Sequence, residues 1–148
     1  MTWNELLAER SAQRHAASRQ EIEGLRKLIA RDLEDAGISA LSADRRFATA
    51  YNAALQSAKM AIACAGFRVA STPGHHRLTW HAARVALGAG AARSLDYFDS
   101  CRRKRNVIDY DAAAVVTRTE AAEILAEAKR FNDAVEVWIA SKHRRFAR

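Results

Sequence analysis

The sequence predicts an all-α protein, an antiparallel up-and-down bundle of four to five helices. Three observations carry that expectation. Alanine, the best helix former, supplies 33 of the 148 residues, against seven valines and seven isoleucines that would favour strands. Proline occurs once and glycine six times, which argues against a strand-and-turn sandwich or a disordered chain. Apolar residues also recur at three- and four-residue spacings along most of the chain, which is the period of one helical face. With 49% apolar and 28% charged residues, the composition is that of an ordinary globular domain, and the length is that of one domain.

The elements follow in order. Residues 1–17 read as an N-terminal arm or short helix with Trp3, Leu6 and Leu7 as its apolar positions. A bundle is expected over residues 18–141. Its first helix starts near Ser18, carries Ile22, Leu25, Ile29 and Leu33 on one face, and stops at Gly37. Ser42 is positioned as the N-cap of the next helix, whose stripe runs Phe47, Ala50, Tyr51, Ala54, Ala58, Ala61, Ile62 and Ala65 up to Gly66. Residues 67–73, with Pro73, read as a loop. His75 to Leu87 is helical, and Gly88-Ala-Gly90 breaks it, at about 1 kcal/mol per glycine relative to alanine. Ala91 to Arg105 resumes a helix with Leu95, Phe98 and Arg102 on one side, and Asp109-Tyr110-Asp111 interrupts it. Thr117-Arg-Thr-Glu120 is a capping box. It opens the longest stripe, Ala121, Leu125, Ala128, Phe131, Val135, Trp138 and Ile139, which runs to Ser141. Residues 142–148 form a basic tail.

The formal net charge is +7. Arg102, Arg103, Lys104 and Arg105 form one cationic cluster, and Lys142, Arg144, Arg145 and Arg148 form a second. The remainder is nearly balanced, so the positive field is local. Such clusters bind phosphates by releasing counterions, which points to nucleic acid. For the tail the plainer alternative is a solvated, frayed end. No apolar run approaches the roughly 18–20 residues that span a bilayer, and no signal-peptide pattern opens the chain, so no membrane partner is expected. Two cysteines, Cys64 and Cys101, are too few for a disulfide framework. A cytoplasmic protein with reduced thiols is the expectation.

Little in the sequence demands a metal or cofactor, and none is expected. His75 and His76 are adjacent and point about 100° apart on a helix, His81 shares neither face, and no carboxylate stands beside them. These histidines read as helix-start or surface residues. Gly88-Ala-Gly90 lacks the Lys-Ser/Thr that follows a phosphate-cradling loop. Cys64, among alanines, reads as core. Cys101 borders the basic run, where nearby cations would lower its pKa, but no partner base is evident. Cys101 to Asp111 is the informative segment. If its helix persists, Arg102, Arg105, Asn106 and Asp109 share a face, and a guanidinium fork beside an amide suits a phosphodiester. The plainer alternative is that Arg105 pairs with Asp109 while Tyr110 caps the bundle.

Three stretches together resemble the HEPN superfamily of small helical-bundle domains. They are Leu41 to Leu55 with the following Cys64-Ala-Gly-Phe67, Gly74-His-His76 opening a helix, and Arg102-Arg-Lys-Arg-Asn-Val-Ile-Asp-Tyr-Asp111 followed by the closing helix from Thr117 to Trp138. The resemblance covers roughly residues 18–140. It implies a homodimer and an RNA- or nucleotide-binding protein, within a toxin–antitoxin or defence system. It also implies two rivals, a metal-independent endoribonuclease with a composite site at the dimer interface, and a non-catalytic module for a nucleotidyltransferase-type partner. The family pattern is Arg, four to six residues, then His. Arg105 and Asn106 match its first part, and Tyr110 stands where the histidine would be. The resemblance thus implies Arg105, Asn106 and Tyr110 as catalytic candidates, while the charge clustering makes Arg102, Arg103, Lys104 and Arg105 the candidate nucleic-acid contacts. Tyrosine, with a pKa of about 10, is a poor general base at neutral pH, so cleavage is expected to be absent or very slow.

Overall fold

The computed structural model describes residues 1–110 and 115–148. Among them are six α-helices: α1 Trp3–Ala8, α2 Arg19–Ala36, α3 Ala43–Cys64, α4 His75–Leu87, α5 Ala92–Tyr110 and α6 Arg118–Lys142. Two short strands, β1 Ala12–Arg14 and β2 Phe67–Val69, pair antiparallel with Ala12 opposite Val69, Gln13 opposite Arg68 and Arg14 opposite Phe67. The fold is therefore an all-α bundle with a small β-ribbon, and its helix count exceeds the expected four to five.

The expected caps at Ser42 and Thr117 are present, and Ser18, at the expected start of the first long helix, is a third. Ser18, Ser42 and Thr117 each accept a hydrogen bond from a first-turn backbone N–H, and Thr117 and Glu120 close the capping box in both directions. Each such cap contributes about 1 kcal/mol. Helix α3 is central. It packs on α2, α4, α5 and α6, so the expected stripe widens to include Ala53, Leu55, Ser57, Met60, Ala63 and Cys64, all buried. Its alanines let neighbouring backbones come close, and its few large side chains fill the gaps at about 1.5–3 kcal/mol each for full burial. An aromatic column then crosses the bundle. Tyr51 meets Trp80 edge-on at 5.8 Å, Trp80 stacks on Phe98 at 5.5 Å, and Phe98 meets Phe131 at 5.4 Å.

Two expectations need correction. Residues 67–73 do not form a plain loop. Phe67–Val69 extends from Gly66, whose positive φ of 97° turns the chain out of α3, and pairs with residues more than 50 positions earlier. Trp3 stacks on Phe67 at 4.0 Å and Leu6 is buried, so the N-terminal segment lies on the bundle. Helix α5 also runs past Arg105 to Tyr110, so Asp109 and Tyr110 continue it rather than interrupt it. Asp111 lies outside the described residues.

The tail is docked, not frayed. Phe146 is buried, Arg26 donates to its carbonyl at 2.6 Å, and Arg19 donates to the carbonyls of Arg145 and Ala147. The basic side chains of Lys142, Arg144 and Arg145 stay exposed.

Candidate nucleic-acid interface

Four consecutive residues on a helix point in four directions about 100° apart, so the basic run on α5 cannot act as one patch. The structure divides it. Lys104 faces α6 and forms an ion pair with Glu120 in that helix's first turn. The pair borders a cavity of about 280 Å³ lined also by Phe47, Tyr97, Cys101 and Glu123. Arg103 is exposed. Arg102 and Arg105, three residues apart, lie on the side of α5 facing α3 and the start of α4.

On that side Arg105 donates from Nη2 to the Asn52 side-chain oxygen at 3.2 Å. Its guanidinium carbon lies 5.9 Å from the centre of the Tyr51 ring, within cation–π range. Arg102 donates from Nε to Asp99 one turn back, at 3.1 Å. Asn106 is exposed on the following turn. Tyr110 is the last residue of α5, and its side chain, like that of Asp109, lies outside the described residues. The Arg105–Asp109 pairing weighed from sequence therefore also falls outside them.

The sequence places Tyr51 on a helix stripe and His76 at a helix start, but does not bring either beside Arg105. The Tyr51 hydroxyl accepts from Trp80 Nε1 at 3.1 Å and lies 3.5 Å from His76 Nδ1. Burial pushes the Tyr51 phenol up to about 12, against the opposing pull of Trp80 and the two arginines. It is thus a fixed hydroxyl, not a base. Burial, then the nearby charges of His75, Arg105, Lys59 and Arg102, lower His76 to about 4, so its imidazole is neutral at pH 7. His75 and His76 stand edge-to-face at 4.5 Å. Asn52 and Tyr51 do leave a trace in the sequence: they are adjacent polar-tipped residues in an otherwise alanine-rich helix. His76 is marked in the sequence only as a helix-start residue, because its place beside Arg105 depends on how α4 leans on α3.

The thiols are not activated. Burial pushes Cys101 up to about 11, which outweighs the hydrogen bonds from Tyr97 and Ser100 and corrects the expected lowering by the basic run. Burial does the same to Cys64. Among the described residues no three His, Cys, Asp or Glu side chains group to hold a metal ion, and no helix is long and apolar enough to cross a membrane.

Comparison with protein-family models, curated proteins and solved structures finds no match to this chain.

Proposed function

We propose that the chain binds single-stranded RNA or nucleotide phosphates through Arg102, Arg103 and Arg105, as a HEPN-like protein. One observation carries the reading. Arg102, whose Nε is on Asp99, and Arg105, whose Nη2 is on Asn52, put two guanidiniums on one edge of α5, near the Tyr51 hydroxyl and the neutral His76. Guanidinium forks take phosphate oxygens in pairs, and amide and imidazole groups add hydrogen bonds to sugar or base. Lys104, held on Glu120, contributes less than the charge clustering implies.

The neutral imidazole favours a second reading, metal-independent endoribonuclease activity. His76 would supply the base that Tyr110 cannot, and a bound phosphate would raise its pKa toward neutrality.

One set of measurements separates these. Affinity for single-stranded RNA is measured against salt in EDTA, with cleavage followed in the same samples. Log K should fall with log salt at about −0.7 per phosphate contact, and R102A/R105A should lower that slope by about 1.4. K142Q/R144Q, which neutralises exposed tail charges without disturbing Phe146, should change it less. If the tail variant has the larger effect, the α5 face is structural. Cleavage that His76→Gln abolishes and Tyr110→Phe spares would put the endoribonuclease first, and intact RNA throughout would leave binding alone.

A further inference from the structure

A cavity of about 240 Å³ opens between α2, α3, β2 and the start of α4. Its floor is apolar, built from Leu25, Ile62 and Val69. Its lining also includes Lys59, half-buried on α3. Among the described residues Lys59 makes no hydrogen bond or ion pair, and burial lowers its pKa. An ammonium taken partly out of water without a counter-charge is costly to the fold and is relieved by any anion placed beside it. Glu21, the one carboxylate on the lining, does not serve, because both its oxygens lie on His15 Nε2, at 2.7 and 3.0 Å. His75 on the same lining adds a ring nitrogen that can donate to an anion.

We propose that this cavity is a binding site for a small organic carboxylate, with an apolar body on Leu25, Ile62 and Val69 and its charged end on Lys59. The lining carries two cations, Lys59 and the exposed Arg68 of β2, and Lys59 is the half-buried one, so the recess suits a negative charge on a hydrophobic molecule. Apolar side chains share the lining with Glu21, Lys59, Arg68, Ser71, His75 and Thr79, and polar groups of this kind orient a small molecule whose body lies on the apolar ones. None of Arg102, Arg103 and Arg105 lines it, and although Lys59 and His75 both bear on His76, carboxylate binding here does not rest on the RNA reading.

The test uses the full chain, with methyl NMR signals of Leu25, Ile62 and Val69 as the readout and octanoate, 1-octanol, octylammonium and AMP as probes. Octanoate should move these signals saturably and bind at least about tenfold more tightly than 1-octanol, as expected for a charge-assisted contact. Octylammonium should not compete. Lys59→Met should bring octanoate down to the level of 1-octanol, and Lys59→Arg should retain the preference. Removing a half-buried, unpaired charge should not unfold the chain, and the octanoate-to-octanol ratio on the unmodified protein tests the idea regardless. Equal binding of octanoate and 1-octanol, undiminished octanoate binding by Lys59→Met, or no response to octanoate would each overturn the proposal. If AMP moves these methyls and octanoate does not, the cavity belongs to nucleotide recognition and the carboxylate site is wrong.

Discussion

His76 shows how one side chain takes its chemistry from its surroundings. Its ring is half-buried at the first turn of α4, and His75, Arg105, Lys59 and Arg102 all bear on it. Burial comes first among the causes, the neighbouring His75, Arg105, Lys59 and Arg102 second, and both disfavour the imidazolium. Its folded pKa of about 4 lies below the usual value near 6.5. Between those values the unfolded chain binds the proton and the folded chain does not. Stability from this group is therefore complete above pH 6.5 and lost as pH falls toward 4. After solvent screening of a partly exposed ring, about 1 kcal/mol is at stake. The expected outcome is a gap between the unfolding midpoints of the unmodified protein and His76→Gln that changes across pH 4–6.5 and is constant above it. Carboxylates titrating in the same range affect both proteins equally and cancel in the difference. Curves that stay parallel throughout would show that folding leaves the titration of His76 unchanged and that its surroundings do not hold it neutral below pH 6.5.

At the scale of elements, the tail is held by a clamp between α2 and α6. Arg26, buried on α2, donates Nε and Nη2 to the two oxygens of Glu136 on α6, both at 2.8 Å. Its Nη1 reaches Glu23 at 2.7 Å, and Nη2 also holds the Phe146 carbonyl. Arg148 returns to Glu136 at 3.0 Å. One guanidinium thus ties two helices and the last residues together. Removing one partner of a buried pair strands the other charge, whereas replacing both with apolar groups is often neutral. Glu136→Ala should cost about 3 kcal/mol in urea unfolding, and R26M/E136L should fall within about 1 kcal/mol of the unmodified protein. If the double variant is as damaged as the single one, the clamp's worth lies in packing and not in charge. The docked tail also explains why truncation after Ser141 is a poor probe of its charges: it would remove a core side chain along with them.

For the molecule as a whole, the aromatic column from Tyr51 to Phe131 runs through α3, α4, α5 and α6 and makes one core. That core is thin in large aliphatics, because much of its buried surface is alanine. A domain of this size with a small-residue core gains from burying further surface against a second copy. Apolar side chains remain on the outside for it, with Val137 70% exposed and Ile38 44% exposed. The homodimer that the HEPN resemblance implies is expected to sediment at about twice 16.4 kDa at micromolar concentration. A single species at 16.4 kDa would remove the dimer, and with it any site shared between two copies.

Helix identity and most helix starts were legible because they are local, although the expected interruption at Asp109-Tyr110 is absent. Ser18, Ser42 and the Thr117–Glu120 box act within one turn, and alanine content biases the backbone wherever it occurs. The division of the Arg102–Arg105 run was also half-written in the chain, since a 100° step sends Lys104 away from Arg102 and Arg105. What escaped was set by long-range contacts. Three-residue strands carry too few residues for a period, and β1 meets β2 only because α1 and α3 deliver them to the same edge. The neutrality of His76 needs cations from α3 and α5 around α4, and the unpaired state of Lys59 needs a cavity that four elements enclose. Sequence alone determined which segments are helical, because that free energy is summed over near neighbours. Only the tertiary structure decided which polar groups meet, because charge and solvation depend on distance through space and not along the chain.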